Sequence, residues 1–195
     1  MRIDSLKTKK DTLILGPKIL TPNLIHDDRG YFLESWNKKN FDNFLKSEIN
    51  FKQENISFSK KGVLRGLHFQ IKPFPQGKLI RCLSGSIYDV VVDIRKDSNT
   101  FAKWGSLILT PKNEKLFWIP EGFAHGFLAL EDNTRIQYKV TNYWEKKFER
   151  SINWSDKFIN IDWNFKSFGI SNPILSKKDQ DAPCLSEIIE KEDFI

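Results

Sequence analysis

Apolar and polar positions between residues 84 and 142 alternate in short runs broken by turn residues, a pattern that predicts strands rather than helices. Over residues 88–95 the apolar Val90, Val92 and Ile94 alternate with Asp89, Val91 and Asp93, which predicts a strand with one buried face. Ser84-Gly85-Ser86 just before it reads as a hairpin turn. Residues 106–109 and 116–119 read as a second hairpin, because Thr110-Pro111-Lys112-Asn113 between them has turn chemistry. Over residues 134–142 Ile136, Tyr138 and Val140 share one face, with Arg135, Gln137, Lys139 and Thr141 on the other. Tyr138 is therefore expected to point inward.

Helical signals are few. Phe41, Phe44 and Leu45 have helical spacing after Asn37, and Ile188 and Ile189 follow Ser186 as a candidate cap. Both helices are expected to pack outside the sheets. Many short antiparallel strands with a buried inner face predict an all-β sandwich or barrel, and a barrel of this kind can hold one small ligand at its mouth.

Length and composition fit that picture as one domain over residues 1–195, since 39% hydrophobic residues in 195 suit a single core. No run of 18 apolar residues occurs and the opening lacks the apolar stretch of a signal peptide, so no membrane span and a cytoplasmic location are expected. The net charge of +6 fits nucleic acid, an anionic small molecule or lysine-rich solubility. Basic residues come in runs no longer than pairs such as Lys9-Lys10, which favours the last and predicts no nucleic-acid partner. Cys82 and Cys184 lack CxxC spacing and read as ordinary thiols.

Histidine chemistry must come from His26, His68 and His125. His26, in the loop Ile25-His26-Asp27-Asp28, is assigned no role. His68 lies in Leu64-Arg65-Gly66-Leu67-His68-Phe69-Gln70, where an apolar strand is interrupted by arginine, glycine and histidine. Strict alternation places Arg65 and His68 on opposite faces, as in a core histidine beside a solvent-facing arginine; a bulge at Gly66 would bring both to one ligand. His125 lies in Pro120-Glu121-Gly122-Phe123-Ala124-His125-Gly126-Phe127, read as a turn from which it either reaches a ligand or braces the loop. Gln70 occupies the second position of an HxH pair, so no metal site is expected.

In order along the chain, Asp28-Arg29-Gly30-Tyr31-Phe32-Leu33-Glu34-Ser35, Gln53-Glu54-Asn55, the His68 segment, Gln76-Gly77-Lys78-Leu79, Val91-Val92-Asp93-Ile94-Arg95-Lys96-Asp97-Ser98, the His125 segment, Tyr138-Lys139 and Leu175-Ser176-Lys177-Lys178-Asp179 resemble the dTDP-4-dehydrorhamnose 3,5-epimerase family. The resemblance covers nearly the whole chain. It implies a cupin-type jelly-roll barrel with a few short peripheral helices, a tail over about 180–195 outside the barrel, and a homodimer that exchanges N-terminal elements. It implies the substrate dTDP-4-keto-6-deoxyglucose, inverted at C3 and C5, and no cofactor.

By the same resemblance His68 is the base, Asp179 its partner carboxylate, Lys78 the cation beside the ketone and Tyr138 the acid. Arg29, Glu34, Gln53, Asn55, Arg65 and His125 would bind substrate. Trp144 stands where the family usually has a second tyrosine and Asn164 follows Trp163 where proline is usual; Trp144 keeps a stacking face but offers no hydroxyl. An epimerase inverting only C3 or C5, or acting on a related nucleotide sugar, fits the same motifs. A silent sugar-binding cupin is disfavoured because all four catalytic positions are present.

Overall fold

The computed structural model describes residues 1–191, so residues 192–195 of the expected C-terminal tail lie outside the described residues. In chain order the elements are β1 (Arg2–Lys7), β2 (Leu13–Thr21), β3 (Ile25–Asp27), β4 (Gly30–Phe32), α1 (Lys38–Leu45), β5 (Gln53–Ser59), β6 (Leu64–Gln70), β7 (Lys78–Ser84), β8 (Ile87–Asp93), β9 (Trp104–Leu109), β10 (Leu116–Ile119), β11 (Phe123–Ala129), β12 (Thr134–Val140), β13 (Glu149–Ser151), α2 (Lys177–Gln180) and α3 (Leu185–Lys191). They build a cupin-type barrel from two facing sheets, one ordered β1-β2-β10-β7-β12-β5 and the other β13-β6-β11-β8-β9. β3 and β4 form a separate two-stranded ribbon.

Three apolar clusters hold these layers. Ile80, Phe117 and Ile136 from the six-stranded sheet meet Ile87, Val91 and Phe127 from the five-stranded sheet inside the barrel. Each such side chain contributes about 1.5–3 kcal/mol when buried. α1 is capped by Asn37, whose Oδ1 accepts from the Asn40 N–H at 3.1 Å, and it buries Phe41 against Leu79 and Trp118 outside the six-stranded sheet. Phe44, counted with it in the helical spacing, faces outward instead.

The third cluster corrects the expectation of a strand with one buried face. All of β8 is buried. Val91 fills the barrel, while Val90, Val92 and Ile94 pack against Ile152, Ile159, Trp163, Leu185 and Ile188 from the irregular C-terminal third. That third forms an extra layer over the five-stranded sheet, so the outer face of β8 is apolar too.

Both predicted hairpins are also corrected. β7 and β8 lie in different sheets, as do β9 and β10. Their turns carry the chain across the barrel, a step that needs the same Gly, Pro and Asn residues as a hairpin turn. α3 begins at Leu185, so Ser186 lies within its first turn; the reach-back bond there is Glu187 Oε1 accepting from the Cys184 N–H at 3.0 Å. α2, not anticipated, is capped by Ser176. Both cysteines are free thiols, and burial pushes the Cys82 thiol up to about 12. No helix among the described residues is long and apolar enough to cross a membrane.

Candidate active site

One cavity of about 290 Å³ opens between the sheets, lined from one side by Asn55 and Ser57 of β5, Lys78 of β7 and Tyr138 of β12. Arg65 and His68 of β6, His125 and Phe127 of β11 and Glu149 of β13 line the other side, with Gln76 and Lys178 at its rim. The inward phase of Tyr138 follows from the period of two in β12, whose Thr134, Ile136 and Val140 are buried.

Arg65 and His68 reach this cavity together because β6 is irregular between them. His125 is paired with His68 but Phe127 with Arg65, a register shift of one residue. Gly66 adopts φ 133° at the shift, and a Cβ there would stand 2.5 Å from the Gly126 Cα and 2.9 Å from the His125 carbonyl oxygen. Only glycine fits so close a crossing. The bulge anticipated at Gly66 is present.

His68 Nε2 lies 2.5 Å from Asp179 Oδ1. Ser176 Oγ donates to Asp179 Oδ2 at 2.8 Å, so both carboxylate oxygens are held. Burial lowers the imidazole's affinity for protons and outweighs the opposing pull of Asp179. For Asp179 burial pushes upward, but the His68 and Ser176 hydrogen bonds prevail and keep it below the usual carboxylate range. The pair therefore rests as neutral imidazole and carboxylate, with Nδ1 left as the basic nitrogen.

Lys78 Nζ donates to the His68 carbonyl oxygen at 3.1 Å. Burial brings its ammonium down to about 8, against the opposing charges of Glu149 and Asp89. Tyr138 shares a short hydrogen bond with the Ser57 hydroxyl, and burial raises its phenol, so it stays protonated at neutral pH. His125 is not in a turn, as the two glycines suggested, but within β11; its Nε2 lies 2.8 Å from the buried Asp89. Burial raises Asp89, and its Oδ2 has no hydrogen-bond partner. Arg65 is steered by β5, donating from Nε to Ser59 Oγ at 3.2 Å and from Nη2 to the Phe58 carbonyl at 3.0 Å.

Of the residues singled out in the sequence, His68, Asp179, Lys78, Tyr138, Asn55, Arg65 and His125 come together. Gln53 sits one rung away, donating to Asn55 Oδ1 and accepting from the Trp144 N–H at 3.0 Å. Trp144 itself is half exposed. Arg29 and Glu34 stand outside the cavity of their own chain: the Arg29 side chain is 90% exposed and chelated by Asp27, and Glu34 accepts from Asn37 and Asn40.

The family model described as dTDP-4-dehydrorhamnose 3,5-epimerase matches residues 11–187. The chain belongs to this family. It is similar to the dTDP-4-dehydrorhamnose 3,5-epimerase of Shigella flexneri, 49% identical over 169 residues that cover 87% of this chain and 88% of that one. A crystal structure of the Legionella pneumophila epimerase in complex with dTDP-4-keto-L-rhamnose superposes with a TM-score of 0.85 at 40% identity, covering 96% and 95% of the two chains. ChmJ of Streptomyces bikiniensis, a 3'-monoepimerase, superposes with a TM-score of 0.82 at 29% identity, covering 90% and 86%.

Ser57, Gln76, Glu149 and Lys178 line the cavity and Asp89 holds His125, although their positions in the sequence assigned none of them a role. Ser57 shares its face with Gln53 and Asn55 by simple alternation, and an aspartate among the valines of β8 was a signal for Asp89. Glu149, which meets Lys178 at 3.0 Å, arrives on β13, a strand of three residues too short to show a period of two. Gln70 spends its amide on the Phe74 and Tyr143 carbonyls and accepts from the Glu145 N–H, a structural role. Among the described residues no cluster of three or more His, Cys, Asp or Glu is placed to hold a metal ion.

Proposed function

We propose that this epimerase converts dTDP-4-keto-6-deoxyglucose to dTDP-4-keto-L-rhamnose by inverting C3 and C5, with His68 as base, Asp179 as its partner, Lys78 at the C4 oxygen and Tyr138 as acid. The observation that carries this reading is the convergence of a neutral imidazole, a buried ammonium and a protonated phenol on one cavity. C3 and C5 both flank the C4 ketone, so the charge of either enolate collects on the same oxygen. One lysine beside that oxygen serves both steps.

In each step His68 Nδ1 removes the proton, Asp179 holds the resulting imidazolium, and the carbon–hydrogen electron pair moves into the enolate. Tyr138 then delivers its proton to the opposite face of the same carbon. The phenolate and imidazolium return to their resting forms by proton exchange with water at the mouth.

A cavity of about 290 Å³ is at the small end for ligand sites and suits the sugar better than the whole nucleotide sugar. Arg65, Asn55, Gln53 and His125 would hold the part of the substrate nearest the cavity, and Trp144 offers a flat face to the base. Arg29 and Glu34 of a second copy would complete the diphosphate site in a homodimer with exchanged N-terminal elements. Exposed Ile25, Phe32, Ile56 and Phe58 give such a dimer apolar surface to bury.

Incubation with the 4-keto sugar in heavy water, followed by NMR at C3 and C5, tests the assignment. His68→Ala should abolish deuterium entry at both carbons; retained wash-in at either would remove His68 as the base. Tyr138→Phe should slow inversion more than exchange with retention. The likeness to a 3'-monoepimerase supports a second reading, inversion at one carbon, and deuterium at a single position in the wild-type protein would establish it.

A further inference from the structure

The β3–β4 ribbon, which carries Arg29, is fastened to the barrel by a cluster that the catalytic cavity does not use. Among the described residues its strands pair only with each other, and every residue in them is exposed. A ribbon this small has no stability of its own in water, so its position depends on its anchor. Among the described residues that anchor is Tyr31, whose phenol donates to Glu114 Oε1. Arg81 Nη2 braces the other carboxylate oxygen at 2.5 Å.

The cluster is costly to build. Glu114 is 5% exposed and has φ 51°, in the left-handed region that glycine or asparagine usually fills. Arg81 Nε is buried without a hydrogen-bond partner. From this cluster the ribbon leads directly to Arg29: Tyr31 is paired with His26, and the next rung is Asp27 with Gly30. Asp27 grips the Arg29 guanidinium at 2.5 Å and accepts its backbone N–H at 2.9 Å. The guanidinium is thus fixed to the ribbon, and the ribbon to Glu114.

We infer that Tyr31 and Glu114 are positioning residues for the substrate's diphosphate: their hydrogen bond, braced by Arg81, sets the ribbon and with it the point from which Arg29 reaches the phosphate oxygens. The inference rests on the reading of Arg29 as a diphosphate ligand. It makes a residue remote from the catalytic cavity a determinant of affinity and not of turnover.

Calorimetric titration with dTDP and steady-state kinetics on the 4-keto sugar test it in Arg29→Ala, Tyr31→Phe, Glu114→Gln and the Arg29→Ala/Tyr31→Phe double variant. Tyr31→Phe keeps a half-exposed ring and removes only the hydroxyl, so its melting temperature should stay near wild type. Its Kd for dTDP and its KM should rise about tenfold with kcat nearly unchanged, the loss expected for one hydrogen bond to a charged group. Glu114→Gln should shift both constants in the same direction, and the double variant should bind no worse than Arg29→Ala. Wild-type affinity in Tyr31→Phe beside a weakened Arg29→Ala, or fully additive losses, would overturn the inference alone. Unchanged affinity in Arg29→Ala would overturn the diphosphate assignment and the inference with it.

Discussion

Burial and charge pull in opposite directions on His68 and on Lys78, and the winner sets the charge each carries. For His68 burial wins over Asp179, which leaves an imidazole able to accept a proton. For Lys78 burial brings the ammonium to about 8 without discharging it at neutral pH. The proposed mechanism needs His68 neutral and Lys78 charged, so kcat/KM should fall with decreasing pH below the ordinary histidine value of about 6.5 and with increasing pH through about 8. Lys78→Met should lose the alkaline limb and roughly 10²–10³ in kcat; an alkaline limb that stays in place would assign it to another group. The same buried charge opposes folding. A lysine lowered from 10.5 to about 8 carries its full penalty below the lower value and is relieved between the two. Lys78→Met should therefore raise the melting temperature at pH 7, and a lower melting temperature would show that the ammonium is stabilised by its neighbours.

Among the elements, β6 and β11 decide the site. Their crossing at Gly66 and Gly126 moves Arg65 onto the face of His68, which an unbroken period of two forbids. Gly66→Ala would place a Cβ into the Gly126 backbone at a positive φ, and should cost at least about 3 kcal/mol in a denaturant titration along with the activity. A neutral outcome would mean that the two strands can separate. Gly66 itself was legible as the place for a bulge, because a glycine between a charged and a titratable residue in an apolar strand has few other uses. The destination of the turns was not. A sheet-crossing corner and a hairpin use the same residues, and what separates them is the partner strand far along the chain.

For the molecule as a whole, the proposed dimer makes a prediction that a monomer cannot meet. Arg29→Ala and His68→Ala chains, each impaired alone, should recover roughly a quarter of wild-type activity when unfolded together and reassembled, since half the dimers are mixed and each mixed dimer has one intact site. That recovery requires Arg29 to serve the neighbour's cavity. Mixed dimers without recovery would place Arg29 in its own chain's site, or outside any site.

Alternation along β12 and the helical spacing after Asn37 determined the all-β class, the inward phase of Tyr138 and α1, because those properties depend on neighbours one to four residues apart. The resemblance to the family, carried by motifs in order along the chain, singled out His68, Lys78, Tyr138 and Asp179. The tertiary structure alone decided that β7 and β8 part into different sheets, that the C-terminal third covers the outer face of β8, that Glu149 and Lys178 line the cavity beside His68 and Lys78, and that Asp89 meets His125. It alone also tied Tyr31 to Glu114. These are contacts between segments tens of residues apart, where no periodic pattern registers a partner and the enclosing barrel supplies both the burial and the charge that set each group's chemistry.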